Sequence, residues 1–329
     1  MRKYIFALAL VFCINCMATV RILTFHYNQA DFVEMQYKAL KQFLQDDFEL
    51  IVFNDAKTLE NEKGIENACK MHGIQCVRYQ SEWHLTNPLN TYLKARLHES
   101  STIGLWGWNE LTTIEEIANC PSVRHSHVIQ YALDHYGYDH DDIVVIMDGD
   151  NFLIKPLSIR ALLGDYDIIG FNQLPDYFGK RRKQLQISVP KNTEMLWVVF
   201  IAFRPSMLFN PRELQFHVDV VSGQPLLPHN TVGDTGSAVY KYLRKYPDLK
   251  ILAYPWQDSG IFREYFSYWD LKEIGFSDRL IRFIYDISPG NVQFFVFEHF
   301  MHFAAVSAET ADHAKKVRCL RQYLDDILD

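Results

Sequence analysis

The residues of this chain best placed to do chemistry are Asp148 and Asp150, separated by Gly149 at the end of the run Asp-Asp-Ile-Val-Val-Ile-Met over residues 141–147. On a strand, residues i and i+2 point to the same side, and a glycine between them lets the backbone turn and a ligand approach closely. Two carboxylates meeting at one point suit a hard divalent cation such as Mg²⁺ or Mn²⁺. Such ions take oxygen ligands and are commonly held by one or two carboxylates together with substrate phosphates. Asp-Gly and Gly-Asp are also ordinary turn dipeptides. Position decides for the cation: the run before the motif is apolar on both faces, as in a buried parallel strand, and ligands of open α/β sheets bind beyond the carboxyl ends of such strands.

Other groups are less specific. Asp55 closes a strand over residues 49–53, where it either contacts a base or ribose or simply caps the strand end. Arg124 opens the helix before the motif strand and either reaches a phosphate or lies on the solvated surface. Lys180-Arg181-Arg182-Lys183 is a basic run that could close over a diphosphate, although such runs are commonly just solvated. Asp234 sits at a helix start, where capping and the helix dipole favour a carboxylate in any case. Trp83, Trp106, Trp108, Trp256 and Trp269 fall in irregular stretches and could line a groove for sugar rings, with core packing the default for each. A zinc hydrolase is set aside, because His125-x-His127 does not fall on one helical face and no His-Glu-x-x-His occurs.

The elements that must position these groups follow from periodicity. Residues 20–25, 49–53 and 74–79 read as strands, and residues 30–44 and 59–71 carry apolar positions at helical spacing, the second helix ending at His72-Gly73. Alternating strand and helix predicts a parallel sheet covered by helices. Residues 81–120 read as a loose polar and aromatic insertion over a site, followed by a helix over 122–135. Further strands are expected over 141–147, 166–171, 195–203 and 251–254. The whole predicts an α/β fold with a mixed, mostly parallel sheet flanked by helices: one domain over 19–329, divided into a nucleotide-binding half over 19–150 and an acceptor-side half over 151–329.

Composition bounds the rest. The chain has 329 residues, 48% of them apolar, which suffices for a sizeable core. Its 33 Lys and Arg against 40 Asp and Glu give a net charge of −7, which leaves no general field for gripping nucleic acid. Arg2 and Lys3 precede an apolar run over 4–12 and then Cys16-Met17-Ala18, the pattern of a signal peptide cut after Ala18. A short signal-anchor is the alternative, with membrane association then confined to this segment, and a hydrophobic first strand of an unexported protein is another. The expected location is therefore secreted or in a secretory lumen. Past the leader, Cys69, Cys76, Cys120 and Cys319 allow three pairings, between which spacing does not choose.

Residues 144–150 with Asn151-Phe152-Leu153 and Pro156 resemble the Asp-x-Asp strand end of metal-dependent glycosyltransferases of the GT-A fold. The loop His26-Tyr27-Asn28 after strand one, and Asn54-Asp55 after strand two, are similar to that family's nucleotide-binding half. Residues 233–238 resemble its Asp-Gln-x-Ala-Leu helix start, and residues 297–305 its late His-Phe-x-Gly segment. The chain departs from the pattern at residues 197–204, where many relatives carry Asn-Ala-Gly, and no Lys-Pro-Trp follows His302.

The resemblance implies Mn²⁺ or Mg²⁺ on Asp148, Asp150 and His302, and a nucleotide-diphospho-sugar donor against Phe25, Tyr27, Asn28, Asp55, Arg124, Asp148 and Gly149. The acceptor would be a glycan, protein or lipid, with Asp234 or Asp258 as the catalytic carboxylate on its side. If residues 296–303 form a strand, His299 and His302 face opposite ways and only His302 serves. Two other readings share the motif: a haloacid-dehalogenase-like phosphotransferase, in which Gly-Thr usually follows the second Asp near the chain start, and an inactive secreted module binding a sugar or nucleotide.

Overall fold

The computed structural model describes residues 19–99, 113–172, 196–221, 231–232, 235–254, 256–258, 267–273, 275–286, 292–295, 299–303 and 311–328. The leader, Trp106, Trp108, the basic run 180–183 and Asp234 lie outside the described residues. No helix among those described is long and apolar enough to cross a membrane.

Three strands open the chain: β1 (Val20–His26), β2 (Phe48–Asn54) and β3 (Gln75–Arg78). Helix α1 (Ala30–Phe43) joins the first two and α2 (Leu59–His72) the next. Thr58 starts α2 by accepting the Asn61 amide, and Gly73 stops it in the left-handed conformation at φ 65°, a geometry that side chains with a Cβ resist. Three short helices follow, α3 (Ser81–Thr86), α4 (Leu89–Glu99) and α5 (Ile114–Asn119). For the described residues 81–99 and 113–120 this corrects the expectation of an irregular insertion: these helices are too short to show a sustained apolar period. Helix α6 (Pro121–Ala132) has proline in its first turn, where the missing N–H is not needed. It passes into a π turn at Leu133–Gly137, so the expected helix over 122–135 ends early as a regular α-helix.

The motif strand β4 (Val144–Asp148) is followed after two residues by β5 (Asn151–Leu153). It begins later than the apolar run, because Asp142 leaves the strand to pair with Arg160 at 2.5 Å. Then come α7 (Ile159–Leu163), β6 (Ile168–Asn172), β7 (Leu196–Phe203), the short pair β8 (Val220–Val221) and β9 (Thr231–Val232), and α8 (Val239–Lys245). The chain ends with β10 (Ile251–Tyr254), β11 (Trp256–Asp258), α9 (Tyr268–Glu273), α10 (Asp278–Asp286), β12 (Gln293–Phe295), β13 (Phe300–His302) and α11 (Ala311–Leu328).

The main sheet has the order β10-β6-β7-β4-β1-β2-β3, parallel throughout except for β7, which runs against both of its neighbours. The expected mixed, mostly parallel sheet is therefore present. Alternate residues feed two cores. Ile22, Val52, Val145 and Met147 meet Val33 and Leu40 of α1 and Ile65 of α2 on one face, while Leu23, Ile51, Val144 and Ile146 meet Val128, Ile129 and Ala132 of α6 on the other. A side chain buried in this way contributes roughly 1.5–3 kcal/mol, which is why these strands are mostly apolar on both faces.

A second, antiparallel sheet has the order β11-β12-β13-β5. Because β5 follows β4 directly, the Asp148–Asn151 turn is where the chain leaves the large sheet for the small one. Phe152 and Ile154 pack with Met301, Phe303, Ile281 of α10 and Leu320 of α11 in a third core beneath the small sheet.

Candidate functional site

Strand β1 has β2 on one side and β4 on the other, so the chain moves outward through β2 and β3 and then crosses back to the far side of β1 at β4. A crevice must open beyond the carboxyl ends of β1 and β4, where ligands of such sheets bind. A cavity of about 380 Å³ lies there, lined among others by Phe25, Tyr27, Asn28, Asp55, Arg124, His125 and residues 148–150. All seven nucleotide-side residues expected from the sequence border it.

Asp148 is the last residue of β4, and Gly149 and Asp150 form a turn rather than continuing the strand. The two carboxylates therefore converge through a turn, not through strand alternation as the spacing alone implied. Space explains the glycine: a Cβ at position 149 would lie 2.4 Å from the carbonyl oxygen of Phe25 and 2.9 Å from the ring of His26. Strand β13 then brings in the third group. Its register places His302 opposite Asn151, and the Phe303 amide donates to the Asp150 carbonyl at 2.9 Å. The His302 Nε2 lies 3.1 Å from an Asp150 carboxylate oxygen and 4.0 Å from one of Asp148. Trp197 of β7 meets the His302 ring edge to face at 5.4 Å. The strand is shorter than the expected 296–303, and His299 is a turn residue whose carbonyl accepts from Ile154.

One ligand atom from each of Asp148, Asp150 and His302 falls within 4.8 Å of the other two. Two carboxylates and one imidazole form a donor set that suits a divalent cation of the Mg²⁺, Mn²⁺ or Zn²⁺ kind. The local field fits as well. Burial opposes charge on Asp148, yet His125, His302 and His26 around it hold its carboxyl below the usual range. Burial likewise opposes an imidazolium at His302, but Asp150 and Asp148 outweigh it and raise its pKa.

Sequence reasoning missed three parts of this site. His125 reaches Asp148 at 3.2 Å and packs edge to face on Phe25. Two residues on, His127 faces away: its Nδ1 is 3.2 Å from Nδ1 of His84, whose Nε2 donates to Asp55 at 2.6 Å. His125 and His127 thus diverge, as residues two apart on a helix do, and form no ligand pair. His125 pairs with Asp148 directly, whereas His127 meets His84, the partner of Asp55. Gln36, buried in α1, is the third, and it lies under the turn.

Asp55 and Arg124 prove to be partners. The Asp55 Oδ1 accepts from Arg124 at 2.7 Å as well as from His84, and both residues are buried. Arg124 is thus neither a surface residue nor a free phosphate hook. Its guanidinium is held 5.9 Å from the Tyr27 ring centroid, and Lys57 stands 5.5 Å from the same ring. The result is an aromatic wall with two cations on it, beside the acidic pair.

On the acceptor side, Asp258 ends β11 and pairs in register with Gln293 of β12, in the same small sheet as His302. Next to Asp234, Thr235 donates to the Ser122 carbonyl at 2.9 Å, which ties that segment to the start of α6. Trp83 is part exposed and Trp269 well exposed, on α3 and α9. Cys69 and Cys76 are thiols within hydrogen-bonding reach of each other, and Cys120 is a thiol as well.

No protein-family model matches the sequence, and no curated protein does. Among solved structures the chain resembles a mannosyltransferase from Pyrobaculum calidifontis, solved with GDP-mannose and Mn²⁺, at 14% identity and a TM-score of 0.39 over 72% of this chain. That match spans about half, 54%, of the mannosyltransferase. It also resembles the glucosyl-3-phosphoglycerate synthase of Mycobacterium tuberculosis, solved with phosphoglyceric acid, at 14% identity and a TM-score of 0.36, over 72% of this chain and 69% of that one. At such identities a likeness concerns the course of the chain alone, and what this protein does must be argued from its own residues.

Proposed function

We propose that this protein is a metal-dependent glycosyltransferase that moves a sugar from a nucleotide-diphospho-sugar to a glycan, protein or lipid acceptor. One observation carries the reading: Asp148 and Asp150, with His302 within 4.8 Å of both, converge at the carboxyl ends of β1 and β4, and the two carboxylates border a cavity also lined by Tyr27, Arg124 and Lys57. Asp148, Asp150 and His302 would hold Mn²⁺ or Mg²⁺. Such an ion neutralises the charge that develops on a nucleoside diphosphate as the glycosidic bond breaks.

The chain's own residues do the remaining work. Lys57 adds positive charge beside the acidic turn in a protein whose net charge is −7, and Arg124, neutralised by Asp55, fixes the position of the Tyr27 ring. Tyr27 offers a face to the nucleoside, and Gly149 lets the acidic turn close onto the end of β1. Asp258 or Asp234 would take the proton from the acceptor hydroxyl, the role an inverting transfer requires. With residues 1–18 acting as a leader, the reaction would run in a secretory lumen supplied with nucleotide-sugar.

The test is turnover. The protein is incubated with UDP-, GDP- and CMP-linked sugars, with Mn²⁺ or with chelator, and free nucleotide is measured. Mn²⁺-dependent release from one of them, lost in Asp150→Asn, is expected, because such enzymes leak sugar to water when no acceptor is present. Release of phosphate from phosphomonoesters instead would establish the phosphotransferase reading, and nucleotide binding without release the inactive module.

A further inference from the structure

We infer that Gln36 is a positioning residue for the metal-binding turn, a side chain on α1 that ties both ends of the Asp148–Asn151 segment together from below. The inference rests on the metal reading above and goes beyond it, because Gln36 touches neither carboxylate.

Gln36 is fully buried. Its amide has two N–H donors on one atom and a single acceptor oxygen, and its surroundings leave one way round for it. The Nε2 faces the Asp148 carbonyl at 2.8 Å and the Asn151 carbonyl at 2.9 Å, two groups that can only accept. The Oε1 accepts the Thr24 hydroxyl at 2.8 Å and faces the His26 Nε2 at 3.3 Å. Both donors and the acceptor are therefore used, and one rigid group sets the distance between the first and last carbonyls of the turn that carries both acidic ligands.

The rest of the turn is fastened from other sides. The Asn151 side chain donates to the Val199 carbonyl at 3.0 Å, and the Asp150 carbonyl accepts from Phe303 at 2.9 Å. Gln36 supplies the anchor on the side of β1. Around it α1 is apolar where it is buried: Phe32, Val33, Ala39 and Leu40 fill the cores, and a methionine would fill the space of Gln36 equally well. A polar group in that row, both of whose N–H donors go to one turn, is explained by what the turn holds. Partners of metal ligands commonly change metal affinity 10–100-fold when removed, since they fix the orientation of groups that must meet within about 0.5 Å.

The experiment compares the full chain with Gln36→Met, Thr24→Val and Leu40→Ala. Mn²⁺ affinity is read by electron paramagnetic resonance, and amide hydrogen exchange over residues 148–151 is read without metal. Leu40 lies on the same helix but packs into the core beneath the sheet, so its variant loosens α1 without touching the turn. Gln36→Met is expected to bind Mn²⁺ at least about tenfold more weakly and to exchange faster over the turn. Thr24→Val, which frees the Oε1 end only, should move both readings the same way by less, and it serves if Gln36→Met does not fold. Leu40→Ala should keep wild-type affinity. Wild-type affinity in Gln36→Met and Thr24→Val, or an equal loss in Leu40→Ala, overturns the inference and leaves the metal site standing. A wild-type chain that binds no Mn²⁺ overturns both.

Discussion

Replacing Gly149 with alanine tests whether the acidic turn is built by close approach. The glycine is not among the described glycines at positive φ, so conformation does not demand it. Its Cβ would lie 2.4 Å from the Phe25 carbonyl oxygen, about 0.9 Å inside the ~3.3 Å at which carbon and carbonyl oxygen ordinarily meet. The strand end cannot withdraw. Phe25 is paired in register with Phe53 on one side and Asp148 on the other, and the His26 ring beneath is buried against Gln36. The turn itself must shift by roughly 1 Å, twice the ~0.5 Å that a metal constellation tolerates. A destabilisation of about 1–3 kcal/mol is expected, in the range of overpacked sites, together with a fall in Mn²⁺ affinity of about tenfold or more. Urea unfolding measures the first and Mn²⁺ titration the second. Gly73→Ala is the control: nothing lies within 4 Å of its Cβ, but its φ is 65°, so it should lose about 1 kcal/mol with Mn²⁺ affinity unchanged. A Gly149→Ala protein with wild-type stability and wild-type affinity would refute the argument from space.

Asp55→Ala leaves the Arg124 guanidinium buried without its carboxylate and should destabilise by about 3–5 kcal/mol in denaturant titration, whereas His84→Ala, which keeps that ion pair, should lose about 1–3 kcal/mol. His302→Ala should weaken Mn²⁺ binding at least about tenfold, and His299→Ala should leave it within about twofold; equal losses would remove His302 from the site. Burial pushes His127 down to about 3, helped by His84, Arg124 and His217 beside it, and pushes His26 down to about 4 against the pull of Gln36 and Asp148. The native state therefore refuses protons that the unfolded chain accepts below about 6.5, so this stability is full above that pH and is lost as pH falls toward the native values. Between pH 7 and 5.5 the metal-free protein should lose on the order of 1 kcal/mol for each of the two. His127→Asn should flatten the curve, and a wild-type stability that rises on acidification would contradict the assignment.

The main sheet was legible because β4 reads as an unbroken apolar run and β1 and β2 as mostly apolar ones feeding both cores, and α2 because its stop is a glycine with no substitute in that geometry. The acidic pair was legible from its place after such a run. His302 was legible only through resemblance, since one imidazole in an aromatic segment carries no spacing signal. Gln36, His84, His125 and His127 were not legible as parts of the site. The groups that bring them into the site lie 23 to 115 residues away in sequence, and a polar residue inside a helix shows nothing until the fold sets a partner opposite it. The pairing of Asp55 with Arg124 was hidden for the same reason, although each stands out alone.

The central claim is that a cation on Asp148 and Asp150 creates the binding site for a nucleoside diphosphate. Calorimetric titration of UDP, GDP and CDP into wild type and Asp150→Asn, each with Mn²⁺ and with chelator, measures that linkage directly. Binding of one of the nucleotides that strengthens at least about tenfold with Mn²⁺ in wild type, with no Mn²⁺ effect in Asp150→Asn, is the expected result. Nucleotide affinity that is the same with and without Mn²⁺, or that survives unchanged in Asp150→Asn with Mn²⁺ present, would contradict it.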